Sequence, residues 1–292
     1  MNNVAIRNHK KHNHFQRWVK GNWVQLVIVI CVVVLAAQVL IPLYFLLIRS
    51  VKTPSEDVAS PFNWPVNWCW DNYQIAWEYI RGAYENSLII AIMVSVGSVL
   101  VAAMAAYAFA FLNFPGKKAL FMGFLSLIMI PGILTLLSRY EMIVKMGFVN
   151  NFWGVILPGI AGTLPYGIFL FTTFFKQIPN EVLESARVDG ANGAQVFVRF
   201  IVPLSRPILV TVLVQNFIAE WNDYLWARLV LTRDDLQTLP IVLVSITKSH
   251  GLDIGYGIPF AGYVLTAIPL LVLFIFGSKQ IVAGLTSGAI KM

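Results

Sequence analysis

The sequence predicts an all-α, polytopic membrane protein with six transmembrane helices, and three observations carry that expectation. Of 292 residues, 58% are apolar and only 12% are charged, with a mean hydropathy of +0.72, whereas a soluble domain carries about 25% charged residues. Long windows of the chain hold no Asp, Glu, Lys or Arg. The basic residues that remain fall unevenly between alternate connections. This charge content excludes a soluble enzyme, and the 20 Phe, 10 Tyr and 9 Trp exclude a disordered chain. Cys31 and Cys69, the two cysteines, exclude a disulfide framework or a Cys-based metal site.

A helix needs about 20 largely apolar residues to cross the hydrocarbon core. Five charge-free windows, 21–48, 86–116, 119–138, 146–175 and 254–278, hold 28, 31, 20, 30 and 25 residues. A sixth, 207–219, has 13, so its span must extend past Arg206 or past Glu220 and Asp223. The predicted spans run at about 24–48, 87–112, 119–138, 152–175, 203–225 and 259–279. They lie in a membrane domain over 23–285, with tails at 1–22 and 286–292 and an inner loop over 177–206. The first window exceeds a signal-peptide core, and no small-residue cleavage site follows it. Leu236–Ile246 contains Pro240 and is too short to span, so it reads as a loop segment or a surface-lying helix.

Lys and Arg in the loops orient the chain. With the N-terminus inside, 13 of the 21 lie in inner segments, and 11 of the 14 acids lie outside. The reading is therefore N-in, C-in. The net charge of +7 is dispersed over inner loops and is no nucleic-acid signal. Arg17, Trp18, Lys20 and Trp23 read as an interfacial anchor to membrane lipid. His9, His12 and His14 with Lys10 and Lys11 read as a solvated tail rather than a metal site.

The five long windows contain no Asp, Glu, Lys or Arg, which argues against an ion-coupled carrier. Glu220 and Asp223, near the outer end of the fifth span, are the nearest acids. There is no acid–base pair, metal triad or nucleophile with its base, and no phosphate-binding Gly-rich loop with its Lys. Catalytic and metal-ligating residues are therefore none, and the chain binds no cofactor. Uphill transport would need energy from another subunit. Ser98, Ala102, Ala106 and Ala110 form a small-residue face suited to close helix packing. Pro131-Gly132, Gly154, Pro158-Gly159, Gly162, Pro165, Gly167 and Pro269 interrupt the third, fourth and sixth spans, as tolerated where backbone is buried in protein or lines a cavity.

The longest inner connection, 177–206, predicts a helix–turn–helix elbow. Asn180 with Glu181 and Glu184 is a helix start, and Asp189-Gly190 is a stop. Ala191 to Phe200 forms a second helix, and Pro203 and Pro207 lead into the membrane. Val182, Leu183, Ala186 and Val188 are more apolar than a solvated helix needs, so they should dock on something.

Glu184-Ser185-Ala186, three residues, Gly190, nine residues and Phe200-Ile201-Val202-Pro203 resemble the EAA loop of ABC-importer permeases, Glu-Ala-Ala-x3-Gly-x9-Ile-x-Leu-Pro. Ser185, Phe200 and Val202 depart from that pattern mildly. Asp189-Gly190-Ala191 is the form common in carbohydrate permeases. SVKTPSED and DNY within 50–73, ENSLIIA at 85–91, AAYAFAFLNFPGKK at 105–118, EWNDYLW at 220–226 and LTSGAIKM at 285–292 are similar to the smaller permease of maltose-type sugar importers. The resemblance implies a type I importer permease whose elbow is a coupling helix seated on an ATPase subunit. Glu184, Ala186 and Gly190 would then be docking contacts, with Ser185 and Ala191 beside them. Asp189 would hold the turn, Pro203 would start the fifth helix, and Leu285–Met292 would also touch the ATPase pair. The implied partners are that pair, which uses the ATP, a second related permease and an extracytoplasmic sugar-binding protein met by 49–85 and 228–258.

For the solute pathway the candidates are Trp221 and Asn222, then Asn86 and Tyr107, because sugars take aromatic stacking and amide hydrogen bonds. An interfacial belt is the plainer reading of 220–223. A stand-alone secondary sugar carrier is the alternative function, opposed by the missing intramembrane charges and the absence of an internal repeat. A membrane enzyme acting on a lipid-linked sugar would need a carboxylate or His cluster at one face.

Overall fold

A computed structural model describes residues 23–250 and 255–287, and the architecture is nearly all helical. Arg17, Trp18 and Lys20 of the predicted anchor, the His cluster and the end of the 285–292 tail lie outside the described residues, while Trp23 of the anchor opens the first helix and is exposed. Helix α1 (Trp23–Ser50) is followed by a short α2 (Pro54–Ala59), then α3 (Asp71–Phe111), α4 (Lys117–Ile128) and α5 (Leu136–Lys145). After α6 (Trp153–Phe175) come α7 (Asn180–Val188), α8 (Gly193–Leu204, with a π-helical turn at Phe197–Ile201), α9 (Arg206–Trp221), α10 (Leu225–Val230), α11 (Leu239–His250) and α12 (Gly257–Ser287).

Among the described residues, four helices are long and apolar enough to cross a membrane: α1, α3, α6 and α12. Two bent pairs raise the number to six if each is one span. The 119–138 window is one of them. Helix α4 ends at Ile128, and the segment Gly132–Lys145 leaves it at 95°. Pro131 has no N–H and disfavours helix in the residue before it, so the run cannot continue straight. The other pair is α8 and α9, bent by 79° around Ser205.

Helix α3 is the central post, packing against α6, α9 and α12. At 41 residues it is roughly 60 Å long and begins at Asp71, well before the apolar window. Glu78, Arg81 and Glu85 end the apolar signal without ending the helix, since charges outside the bilayer cost the backbone nothing. The small-residue face packs on α6. Ser98, Ala102 and Ala106 are buried, a Cβ on Gly167 would stand 2.9 Å from Ala102 Cβ, and Thr163 Oγ1 donates to Ser98 Oγ at 2.7 Å. In lipid such approach stabilises by dispersion and hydrogen bonding, because the apolar tails remove the usual hydrophobic drive.

Helix α1 packs on α12 and otherwise leaves its apolar surface open, as expected of a helix against lipid. Its C-terminal end is clasped. Arg49 Nε and Nη2 donate to Asp57 Oδ1 and Oδ2 at 2.6 and 2.8 Å, and the Tyr256 N–H donates to Asp57 Oδ2 at 2.9 Å. The same guanidinium lies over the Tyr256 and Phe260 rings. Asn72 Nδ2 donates to the carbonyls of Ser50 and Lys52, so α1, α2, α3 and α12 are joined there. The 236–246 run, expected as a loop segment or surface-lying helix, forms α11, with Leu239, Leu243 and Ile246 buried against Ile80, Phe217 and Trp221.

Candidate functional site

The elbow between α6 and α9 is built as a rigid bracket. Asp189 N–H donates to Ser185 O and Ala191 N–H to Ala186 O, each at 3.0 Å, with Gly190 between at φ +84°. The second bond joins residues five apart, the pattern that closes a helix over a left-handed glycine. Asn192 then restarts the chain. Its Oδ1 accepts from Gln195 N and its N–H donates to Gln195 Oε1, both at 2.9 Å. This reciprocal cap is written in the sequence as Asn-x-x-Gln, a signal that the reading of the second helix as Ala191 to Phe200 did not use.

Helix α7 has two faces. Leu183 and Ala186 are 3% and 2% exposed and join a core cluster with Phe171, Phe175, Val196, Ile201 and Val212. Glu184, Ser185 and Asp189 are exposed, and Val188 is 87% exposed. The resemblance placed Ala186 among the docking contacts, but its methyl points into the bundle. Among the side chains this helix leaves on the surface are Glu184, Ser185 and Val188. The apolar excess is thereby divided, Leu183 and Ala186 serving the chain's own core and Val188 left on the surface. Ser185 Oγ donates to Val182 O at 3.0 Å. Asp189 shapes the turn through its backbone N–H, while Ala191 follows the glycine and is half-buried. Pro203 sits in the last turn of α8; α9 begins at Arg206, with Pro207 in its first turn.

The pathway candidates do not converge. Tyr107 stands at the elbow end, its ring 5.5 Å from Phe111 and 5.4 Å from Phe197, where it braces α8. Asn86, Trp221 and Asn222 lie toward the opposite end. Trp221 is 1% exposed, stacked on Phe217 at 5.6 Å and edge-on to Tyr84 at 5.4 Å. Both neighbours occupy its ring in this conformation, and its Nε1 is buried without a hydrogen-bond partner. Asn222 is exposed and donates to Ile218 O at 2.7 Å. Asn86 Nδ2 donates to the carbonyls of Asp235 and Gln237, each at 3.0 Å, pinning the loop before α11. Arg139 was not singled out as a site residue. Its Cζ lies 4.0 Å over the Trp226 ring, and Trp226 Nε1 donates to Gly154 O. Arg139 directly follows the apolar window ending at Leu137-Ser138, and nothing in that window signals a partner in the second residue of α10.

The family of binding-protein-dependent transport system inner membrane components matches residues 87–286. The trehalose transport system permease protein SugB of Mycobacterium tuberculosis is 34% identical over 254 residues, covering 86% of this chain and 92% of that protein. The diacetylchitobiose uptake system permease protein NgcG of Streptomyces coelicolor is 29% identical over 255 residues, covering 87% and 84%. The crystal structure of a bacterial ABC transporter involved in the import of the acidic polysaccharide alginate contains a chain of the same fold, with a TM-score of 0.74 and 20% identity over 88% of this chain and 95% of that one. The chain belongs to the family of binding-protein-dependent transport system inner membrane components.

Proposed function

We propose that this chain is a permease subunit of an ATP-driven importer, moving an oligosaccharide or related carbohydrate across the cytoplasmic membrane by alternating access. Each bent helix pair counts as one span, giving six, with the elbow and both termini on the inner side. A separate ATPase pair supplies the energy. A second related permease completes the pathway, and an extracytoplasmic binding protein delivers the solute to the outer loops. The sugar assignment draws on relatives that carry trehalose and diacetylchitobiose in their names.

The observation that carries the reading is the two-faced helix α7. Its outer edge, Glu184, Ser185 and Val188, is free to meet a partner. Its inner edge, Leu183 and Ala186, is locked into the core shared by α3, α6 and α9. Motion of a bound ATPase is thereby passed to the spans through close-packed side chains, which transmit displacement because interiors are nearly incompressible.

Reconstitution of the complete complex tests this. Proteoliposomes holding the chain with its co-purified subunits should take up labelled trehalose or diacetylchitobiose only with ATP on the ATPase side and binding protein on the other. Equal uptake without nucleotide would instead support the stand-alone carrier.

A further inference from the structure

At the elbow end of the bundle, a cavity of about 250 Å³ is lined by Phe109, Lys117, Lys118, Phe121 and Lys176. These residues come from three places: the last turn of α3, the start of α4 and the residue after α6. The floor is aromatic. Phe109 is buried, with its ring 5.4 Å from Phe121 and 5.7 Å from Phe114. The rim is cationic. Lys176 Nζ lies 5.6 Å from the Phe121 centroid, and Lys117 Nζ donates to Leu112 O at 2.8 Å, which leaves two of its three protons free. No acid lines the cavity. Among the described residues the ion pairs are Arg49–Asp57 and Arg233–Asp235, so none of these lysines has a carboxylate partner.

The position of α4 identifies the occupant. No residue of α4 is buried, and Leu120 and Met122 are 54% and 57% exposed. The helix is therefore peripheral, and its apolar flank continues the lipid-facing surface up to the lysine rim. Three cations over an aromatic floor at the edge of a bilayer match a phosphodiester with its glycerol and first acyl carbons: lysine stems cover apolar surface while the ammonium groups reach the charge. We propose that this cavity is a binding site for the headgroup of an anionic phospholipid of the leaflet on the elbow side. It holds the α3–α4 connection to the foot of α6, beside the start of α7.

The test uses the complete complex in mixed micelles with equal phosphatidylglycerol and phosphatidylcholine, read by native mass spectrometry. The wild type should retain phosphatidylglycerol over phosphatidylcholine by roughly tenfold. Lys117→Gln/Lys118→Gln/Lys176→Gln should bring the ratio to parity, while Arg228→Gln/Lys248→Gln, at the opposite end, should keep it. Parity in the wild type, or enrichment that persists in the triple variant, would overturn the site. Loss of the phosphatidylglycerol adduct to inorganic phosphate would also overturn it, in favour of a free-anion site. Placement in the inner leaflet rests on the topology proposed above. Labelling of Lys118→Cys, in a Cys31→Ser/Cys69→Ser background, from the inside alone supports that placement, and labelling from the outside would reverse the leaflet without touching the lipid ratio.

Discussion

The N–H of Ala191 donates to the carbonyl of Ala186 at 3.0 Å, across a glycine held at φ +84°. This bond ends α7 and sets the angle at which its exposed Glu184 edge is offered relative to the buried Leu183 edge. The elbow's geometry thus depends on a backbone conformation that side-chain-bearing residues adopt at a cost.

Gly190→Ala meets open space, since a Cβ there has no neighbour within 4 Å. The penalty is conformational, about 1–2 kcal/mol for an L residue in the left-handed region. Substrate uptake per ATP should fall while membrane insertion is unchanged. Gly190→Asn should retain most of the coupling, because Asn tolerates that region. Parallel ATPase and uptake assays on reconstituted complexes check both.

Gly154 behaves oppositely. A Cβ there would collide with the Phe148 carbonyl and stand 2.8 Å from Val230 Cγ1. Gly154→Ala should destabilise by about 1–3 kcal/mol through overpacking, seen as a lower thermal midpoint in detergent. Gly82→Ala, exposed in α3 with nothing within 4 Å, should instead stabilise by about 0.5–1 kcal/mol.

Asp57 is 1% exposed and receives the Arg49 guanidinium and the Tyr256 N–H. Asp57→Ala should cost about 3–5 kcal/mol, because it strands a cation in a partly buried site. The double variant Arg49→Met/Asp57→Leu should recover much of that loss. Thermal unfolding of the two side by side separates stranded charge from lost packing; equal losses would contradict the clasp.

Asn86→Ala removes two donors from the carbonyls of Asp235 and Gln237. The local cost should be about 1–2 kcal/mol, confined to the segment before α11. Hydrogen exchange of residues 231–238 should accelerate several-fold, with the α3–α6 interface unaffected.

Much of this was legible beforehand, and the exceptions have physical causes. Charge-free windows located α1, α3, α6 and α12, because desolvating a charge in lipid is costly enough to leave a mark in composition. The small-residue spacing marked the packing face of α3, because close backbone approach restricts side-chain size, but it did not name α6 as the partner. Composition is blind to direction, however. The 119–138 window gave no sign of the 95° break beyond Pro131-Gly132, and Asp71–Glu85 belonged to α3 although its charges hid it. In the elbow, Gly190 was found because a left-handed residue restricts sequence choice. Which way Ala186 points depends on where α3, α6 and α9 end, a tertiary fact with no local trace. Trp221 and Tyr107 carried a sugar-binding chemistry in name, and the fold uses both rings in packing.

The central claim is that the exposed edge of α7 seats an ATPase subunit, and Glu184→Lys addresses it directly. Glu184 is exposed and outside the core, so the variant should insert and fold as the wild type does. A tagged pull-down from native membranes in mild detergent should recover a nucleotide-binding subunit and a second permease with the wild type. The Glu184→Lys variant should keep the permease partner and lose the ATPase activity. Recovery of the chain alone from wild-type membranes, or undiminished ATPase recovery with Glu184→Lys, would contradict the account.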